Sequence, residues 1–109
     1  MKTEQPILTT SITASGALTK QTFIGFGGAL CAAAAKALGV CAASTASGEQ
    51  APVITDGIAQ VIAGAAVAVG AAVEADSSGY AVTKSAGVIN GYALDAADAS
   101  GDVIRVHLI

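Results

Sequence analysis

The sequence predicts an all-β domain: a small barrel or sandwich built from hairpins, with at most one short helix. Three observations carry that prediction. Glycine falls at 16, 25, 27, 39, 48, 57, 64, 70, 79, 87, 91 and 101, usually too close together for a long helix. The run Val103-Ile104-Arg105-Val106-His107-Leu108 alternates, with Ile104, Val106 and Leu108 on one face and Val103, Arg105 and His107 on the other. That period of two marks a half-buried strand. The third observation is a weak internal repeat. Gly39-Val40-Cys41 leads to Ala46-Ser47-Gly48-Glu49 and, five residues past that glycine, Val53. Gly91-Tyr92-Ala93 leads in the same way to Ala99-Ser100-Gly101-Asp102 and Val106. Two copies of one hairpin suggest equivalent ribbons packed together.

Further strands are predicted at Ile7–Ile12, Thr22–Phe26, Val40–Ala43, Val53–Thr55, Ile58–Ile62, Ala71–Ala75, Tyr80–Thr83 and Val88–Leu94. Asp56-Gly57 reads as a two-residue hairpin turn between its neighbours, since both residues accept positive φ. Asp76-Ser77-Ser78-Gly79 reads as a slightly longer one. Asn90-Gly91 would also suit a tight turn, but its repeat counterpart is Leu38-Gly39, so Gly91 is placed in or at the start of a strand. The exception to the β pattern is Ala29–Leu38, where alanine propensity suggests a helix of two or three turns. Residues 1–17 are read as an N-terminal arm or first strand, and 18–109 as one domain.

Composition narrows the function. The chain has 109 residues and a net charge of -3; 53% of it is apolar and 12% charged. Twenty-six residues are alanine, against ten Val, nine Ile, six Leu and no Trp, so large core side chains are scarce. Disorder would need the opposite balance of charge and hydrophobicity. Five scattered Lys and Arg make no basic stripe for nucleic acid. The uncharged stretch from Gly57 to Val73 is short, rich in Ala and Gly, and flanked by Asp56 and Glu74, which suits no membrane span. Met1 to Pro6 lacks the basic patch and apolar block of a signal peptide. A soluble, cytosolic product is expected, with Cys31 and Cys41 reduced and buried as small hydrophobes.

Several residues invite a chemical reading. Asp95, Asp98, Ser100 and Asp102 form a loose set of oxygen ligands, but without the spacing or closing Glu of a calcium loop. His107 has no nucleophile or orienting acid at a suggestive spacing. Two cysteines and one histidine cannot close a four-ligand zinc site. Gly25-Phe26-Gly27-Gly28 lacks the Lys-Ser/Thr that would make it a phosphate loop. Phe23, Phe26, Tyr80 and Tyr92 are expected as core anchors, with Tyr80 an alternative interface contact beside its turn. No metal, cofactor or catalysis is expected.

The closing run Gly91-Tyr92-Ala93-Leu94-Asp95-Ala96-Ala97 … Ser100-Gly101-Asp102-Val103-Ile104-Arg105-Val106-His107-Leu108 resembles the end of the capsid cement, or head decoration, proteins of tailed phages and prophages. The likeness extends through Leu38-Gly39-Val40, Ser47-Gly48-Glu49, Asp56-Gly57-Ile58-Ala59-Gln60-Val61, Gly70-Ala71-Ala72-Val73 and Gly79-Tyr80-Ala81-Val82, covering about residues 18 to 109. Its motifs are Gly and Val spacings whose order, more than any one of them, makes the resemblance. The two cysteines and the alanine-rich 29–37 stretch depart from it.

The resemblance implies a mostly β fold without catalysis. It implies a virion protein, made in the host cytoplasm, that binds the outer surface of the assembled shell with the major capsid protein as partner. A small homo-oligomer is implied too, a trimer favoured over a dimer because such shells offer three-fold positions. A fibre- or tail-associated β domain is the alternative. On this reading Lys2, Thr3, Glu4, Gln5, Pro6, Ile7 and Leu8 are the candidate capsid contact, a β-prone arm able to add to a sheet edge. An ordinary first strand, or a frayed terminus, is the competing possibility. Tyr80, Arg105 and His107 are the candidate oligomer contacts.

Overall fold

A computed structural model describes residues 4–108. Eight strands make up its regular structure: β1 Gln5–Thr13, β2 Phe23–Ile24, β3 Gly39–Cys41, β4 Gln50–Ile62, β5 Ala72–Ala75, β6 Ala81–Thr83, β7 Gly91–Ala93 and β8 Val103–Leu108. All pairings between them are antiparallel, and the sheet order is β2-β3-β4-β8-β7-β5-β6, with β1 added on β4. A bridge from Ala63, just past β4, to Ala81 brings β6 back to the start of that half, so the sheet is a nearly closed barrel. The expected small all-β fold is the one found.

No helix forms among the described residues, and the one expected over Ala29–Leu38 is replaced by an extended loop. Its amides reach outside the segment: Cys31 N donates to Phe23 O, Ala34 N to Ala75 O, and Leu38 N to Ile24 O. Alanine favours helix by only tenths of a kcal/mol per residue over ordinary residues. With Leu30 and Leu38 eight positions apart, a helix here would own no apolar face to bury. As a loop the segment instead seals the barrel with Cys31 and Ala37, both in the core. Asn90, itself buried, holds it there by accepting from Ala37 N at 2.9 Å and donating to Ala35 O at 3.2 Å.

Asp56-Gly57 is not a hairpin turn either. β4 runs straight through it for 13 residues, because β1 pairs with β4 along its whole length. Gly57 does take positive φ (+103°), but at a pair of register shifts where β1 and β4 each carry one extra residue. A bulge uses the same conformational freedom as a turn. The Asp76–Gly79 hairpin forms as expected: Asp76 Oδ1 accepts from Ser78 N at 2.8 Å and Tyr80 N at 2.9 Å. Gly91 opens β7, as its repeat counterpart indicated.

The repeat is more extensive in space than in sequence. Val40 pairs with Ile54 and Cys41 with Val53; their counterparts Tyr92 and Ala93 pair with His107 and Val106. Ala14 N donates to Glu49 O and Ala63 N to Asp102 O, while Gly48 N and Gly101 N donate back to Ala14 O and Ala63 O. Leu18 exchanges two hydrogen bonds with Thr45, and Val67 does so with Ala97. Gln21 and Gly70, both at positive φ, donate to Cys41 O and Ala93 O. The first repeat is therefore β1, β2, β3 and the first half of β4. The second is the other half of β4 with β5, β7 and β8, and the bulge at Gly57 is their joint.

That joint decides which faces are buried. Before it, Val53 and Ala51 lie in a small cluster with Ala14, Leu18, Ile24 and Cys41, while Ile54 points the other way into the main core with Phe23 and Val40. After it, Ala59 and Val61 point into the main core with Val73, Ala93, Ile104 and Val106. The first repeat thus buries both faces of its sheet, and the second buries one.

Candidate functional site

Two surfaces stand out once the core is accounted for. The first is β1. Eight of its nine residues are exposed, with Ile12 the exception at an intermediate value. Ile7 is 82% and Leu8 52% exposed. An antiparallel strand on a one-sided core shows alternate burial; β1 shows none, and it adds to β4 with Ile12 alone packed against the smaller core cluster. Among the described residues it pairs with β4 alone, leaving its other edge without a strand partner. It is held by the ladder, by Thr55 Oγ1 donating to Leu8 O at 3.2 Å, and by Gln50 Nε2 donating to Thr13 Oγ1 at 2.6 Å. Pro6 has no amide to offer a ladder and is tolerated on such an edge.

Of the arm residues singled out in the sequence, Lys2 and Thr3 lie outside the described residues. Glu4 is half-buried, its Oε2 accepting from Gln60 N at 3.3 Å. Gln5, Pro6, Ile7 and Leu8 are consecutive and exposed on the first half of β1.

The second surface is the outward face of β4, β8 and β7 in the second repeat. One cross-strand row reads Ile58, His107, Tyr92, Ala72, and a neighbouring row pairs Gln60 with Arg105. Tyr92 is 41% exposed, His107 is exposed, and Ile58 and Ala72 are half-buried. Arg105 is clamped from within. Its Nε and Nη2 donate to Asp95 Oδ2 and Oδ1 at 2.9 and 3.0 Å, and its backbone N donates to Oδ2 at 3.0 Å. That fork, with the charge of Asp95, holds the guanidinium above its usual pKa. Arg105 and His107 therefore share a face, as expected. Tyr80 sits apart, half-buried beside the β5–β6 turn and next to Gly64.

The aromatic expectation needs correction. Phe23 is fully buried, but Phe26 is 65% exposed on its glycine loop and Tyr92 faces outward. Gly25, Gly27 and Gly28 leave Phe26 nothing to fold against. Tyr92 is outward by strand parity between Gly91 and Ala93, although its repeat counterpart, Val40, is buried.

The chemically tempting groups have structural occupations. Asp95 holds Arg105, and Asp102 Oδ2 accepts from Asp98 N and Ala99 N at 2.9 and 3.3 Å, closing its own turn. Glu49 Oε1 accepts from Ala46 N at the equivalent place in the first repeat. Cys31 and Cys41 are buried and free, and burial pushes the Cys31 thiol up, away from the reactive thiolate. Among the described residues no three His, Cys, Asp or Glu side chains gather as a metal site. No helix among the described residues is long and apolar enough to cross a membrane. What the molecule offers is an edge and a face for contact.

Comparison with known proteins agrees in kind. The family described as phage cement protein matches residues 1–108, so the chain belongs to that family. It is a structural component of phage virions. No curated protein sequence matches it. Among solved structures it is similar to the N base of the head fiber gp8.5 in bacteriophage phi29. The TM-score is 0.78 at 18% identity, over 94% of this chain and 93% of that one, a likeness of fold.

Proposed function

We propose that this cement protein binds the outer surface of the assembled phage shell and stabilises it, acting by contact and not by catalysis, with the major capsid protein as partner. The observation that carries the reading is β1, a strand exposed on nearly every residue, with one edge unpaired and Ile7 and Leu8 in solvent. An edge of this kind takes a further strand through backbone hydrogen bonds, and its apolar side chains add specificity. Residues Lys2 to Leu8 are accordingly the capsid contact.

A ligand that binds the assembled lattice and not its loose subunits stabilises the lattice by mass action. Several weak contacts suffice if one particle engages several subunits at once. A small homo-oligomer, a trimer in preference to a dimer, supplies that multivalency at a three-fold position of the shell. Tyr80, Arg105 and His107 are its proposed contacts.

The test is co-sedimentation with capsids of the native phage, using the full chain and a chain lacking residues 1–12. The full chain pellets with capsids; the truncated chain remains folded by circular dichroism and stays in the supernatant. Equal pelleting of both chains would place the contact elsewhere. The fold likeness to a head fiber base favours one variant of this reading, in which the domain seats a longer projection on the head; fractionation with tails and not with heads would contradict both.

A further inference from the structure

We infer that the outward face of β8, β7 and the second half of β4, centred on His107 and Tyr92, is where a second copy of this chain docks. The inference rests on the homo-oligomer reading above and gives it a location. Its warrant is the internal repeat. Ala72, Tyr92 and His107 occupy the positions that Phe23, Val40 and Ile54 occupy in the first repeat. Those three are 0%, 0% and 2% exposed, in one core cluster with Val73, Ala93 and Val106 of the other repeat and with Cys31 and Ala37 of the 29–38 loop. The same surface in the second repeat is bare. In repeat architectures each unit buries its neighbour's face, and the last unit is left with one uncovered.

The chemistry of the face fits a copy of this chain better than a strongly charged partner. Ile58 and Tyr92 flank His107 across the strands, and Ile62 pairs with Val103 further along the same two strands. Asp95 is held by Arg105, and Glu4 by the amide of Gln60. Asp56, exposed on β4, borders the patch. Two copies of a chain with net charge -3 repel less where an acid is paired with a cation, as Asp95 is with Arg105. Tyrosine and arginine are also the side chains enriched in interface cores. A domain whose core is mostly Ala and Val gains from burial between copies.

The chain's single histidine makes the test direct on the unaltered protein. Diethyl pyrocarbonate modifies an accessible imidazole. His107 is expected to be protected at concentrations where sedimentation equilibrium shows an oligomer, and to react freely on dilution. In parallel, Tyr92→Asp and His107→Asp are expected to weaken self-association by about tenfold or more, while Phe26→Ser, outside the face, leaves it unchanged. A wild-type chain monomeric at about 100 μM, far above the micromolar affinities of ordinary complexes, would overturn the inference. So would His107 reactivity independent of concentration. No capsid enters these measurements, so a chain that oligomerises through this face yet fails to pellet with capsids would defeat only the capsid reading. A monomer that does pellet would defeat this inference and the homo-oligomer on which it rests, and leave the capsid contact standing.

Discussion

Gly57 shows how much one residue can carry. Its φ of +103° and the close approach of the β1 backbone leave no room for a β-carbon, which would collide with the Gln5 carbonyl oxygen and the Ile7 nitrogen. Strain of this kind costs about 1–3 kcal/mol. Gly57→Ala is therefore expected to lower the unfolding midpoint and to release β1 first, with amide exchange accelerating at Gln5–Leu8 before β8. An unchanged midpoint and unchanged exchange would show that β1 is held by something else. Glu74 carries a different load. It is buried, and its Oε1 accepts from Ser85 N at 2.6 Å and Gly87 N at 3.1 Å, pinning the loop after β6. Those two amides, with a smaller contribution from Lys84, lower its pKa although burial opposes them. A carboxyl whose folded pKa lies below the unfolded value of about 4.3 stabilises the fold above that pH. The contribution is lost as pH falls through the folded value. Glu74→Gln should flatten the acid limb of the stability profile, and an identical limb in the variant would rule this role out.

Elements were legible where pattern was strong. The alternation of β8 places Ile104, Val106 and Leu108 inside as read. The Gly39/Gly91 correspondence correctly overrode the turn signal of Asn90-Gly91, because in both copies the glycine lies against a partner strand's backbone. Two readings failed for one reason: local propensity says nothing about what packs where. Asp56-Gly57 does use positive φ, but only the length of β1 makes it a bulge in a continuous strand. Ala29–Ala37 lacks helix because the barrel needed small side chains across its mouth. Of the candidate site, β1 was legible as a strand-prone arm, whereas the bare face around Tyr92 emerges only when the two repeats are compared for burial. With eight of nine residues exposed, β1 contributes little to the core. Each backbone hydrogen bond nets about 1 kcal/mol, against ordering costs of similar size per residue. Removing residues 1–12 should therefore leave one cooperative unfolding transition; loss of cooperativity would make β1 part of the folding unit.

For the whole molecule, a thin core, an unpaired edge and an uncovered face describe a protein completed by what it touches. On the reading proposed above, β1 faces the shell and the His107 face receives another copy. A cement protein that binds the assembled lattice gains nothing from binding loose subunits. The most direct measurement mixes the purified protein with immature and mature capsids of its phage and counts bound copies after pelleting. Saturation at a fixed number per mature capsid, with none on the immature shell or on free capsid subunits, is the result this account predicts. No binding to either shell, or unsaturable binding to both, would contradict it.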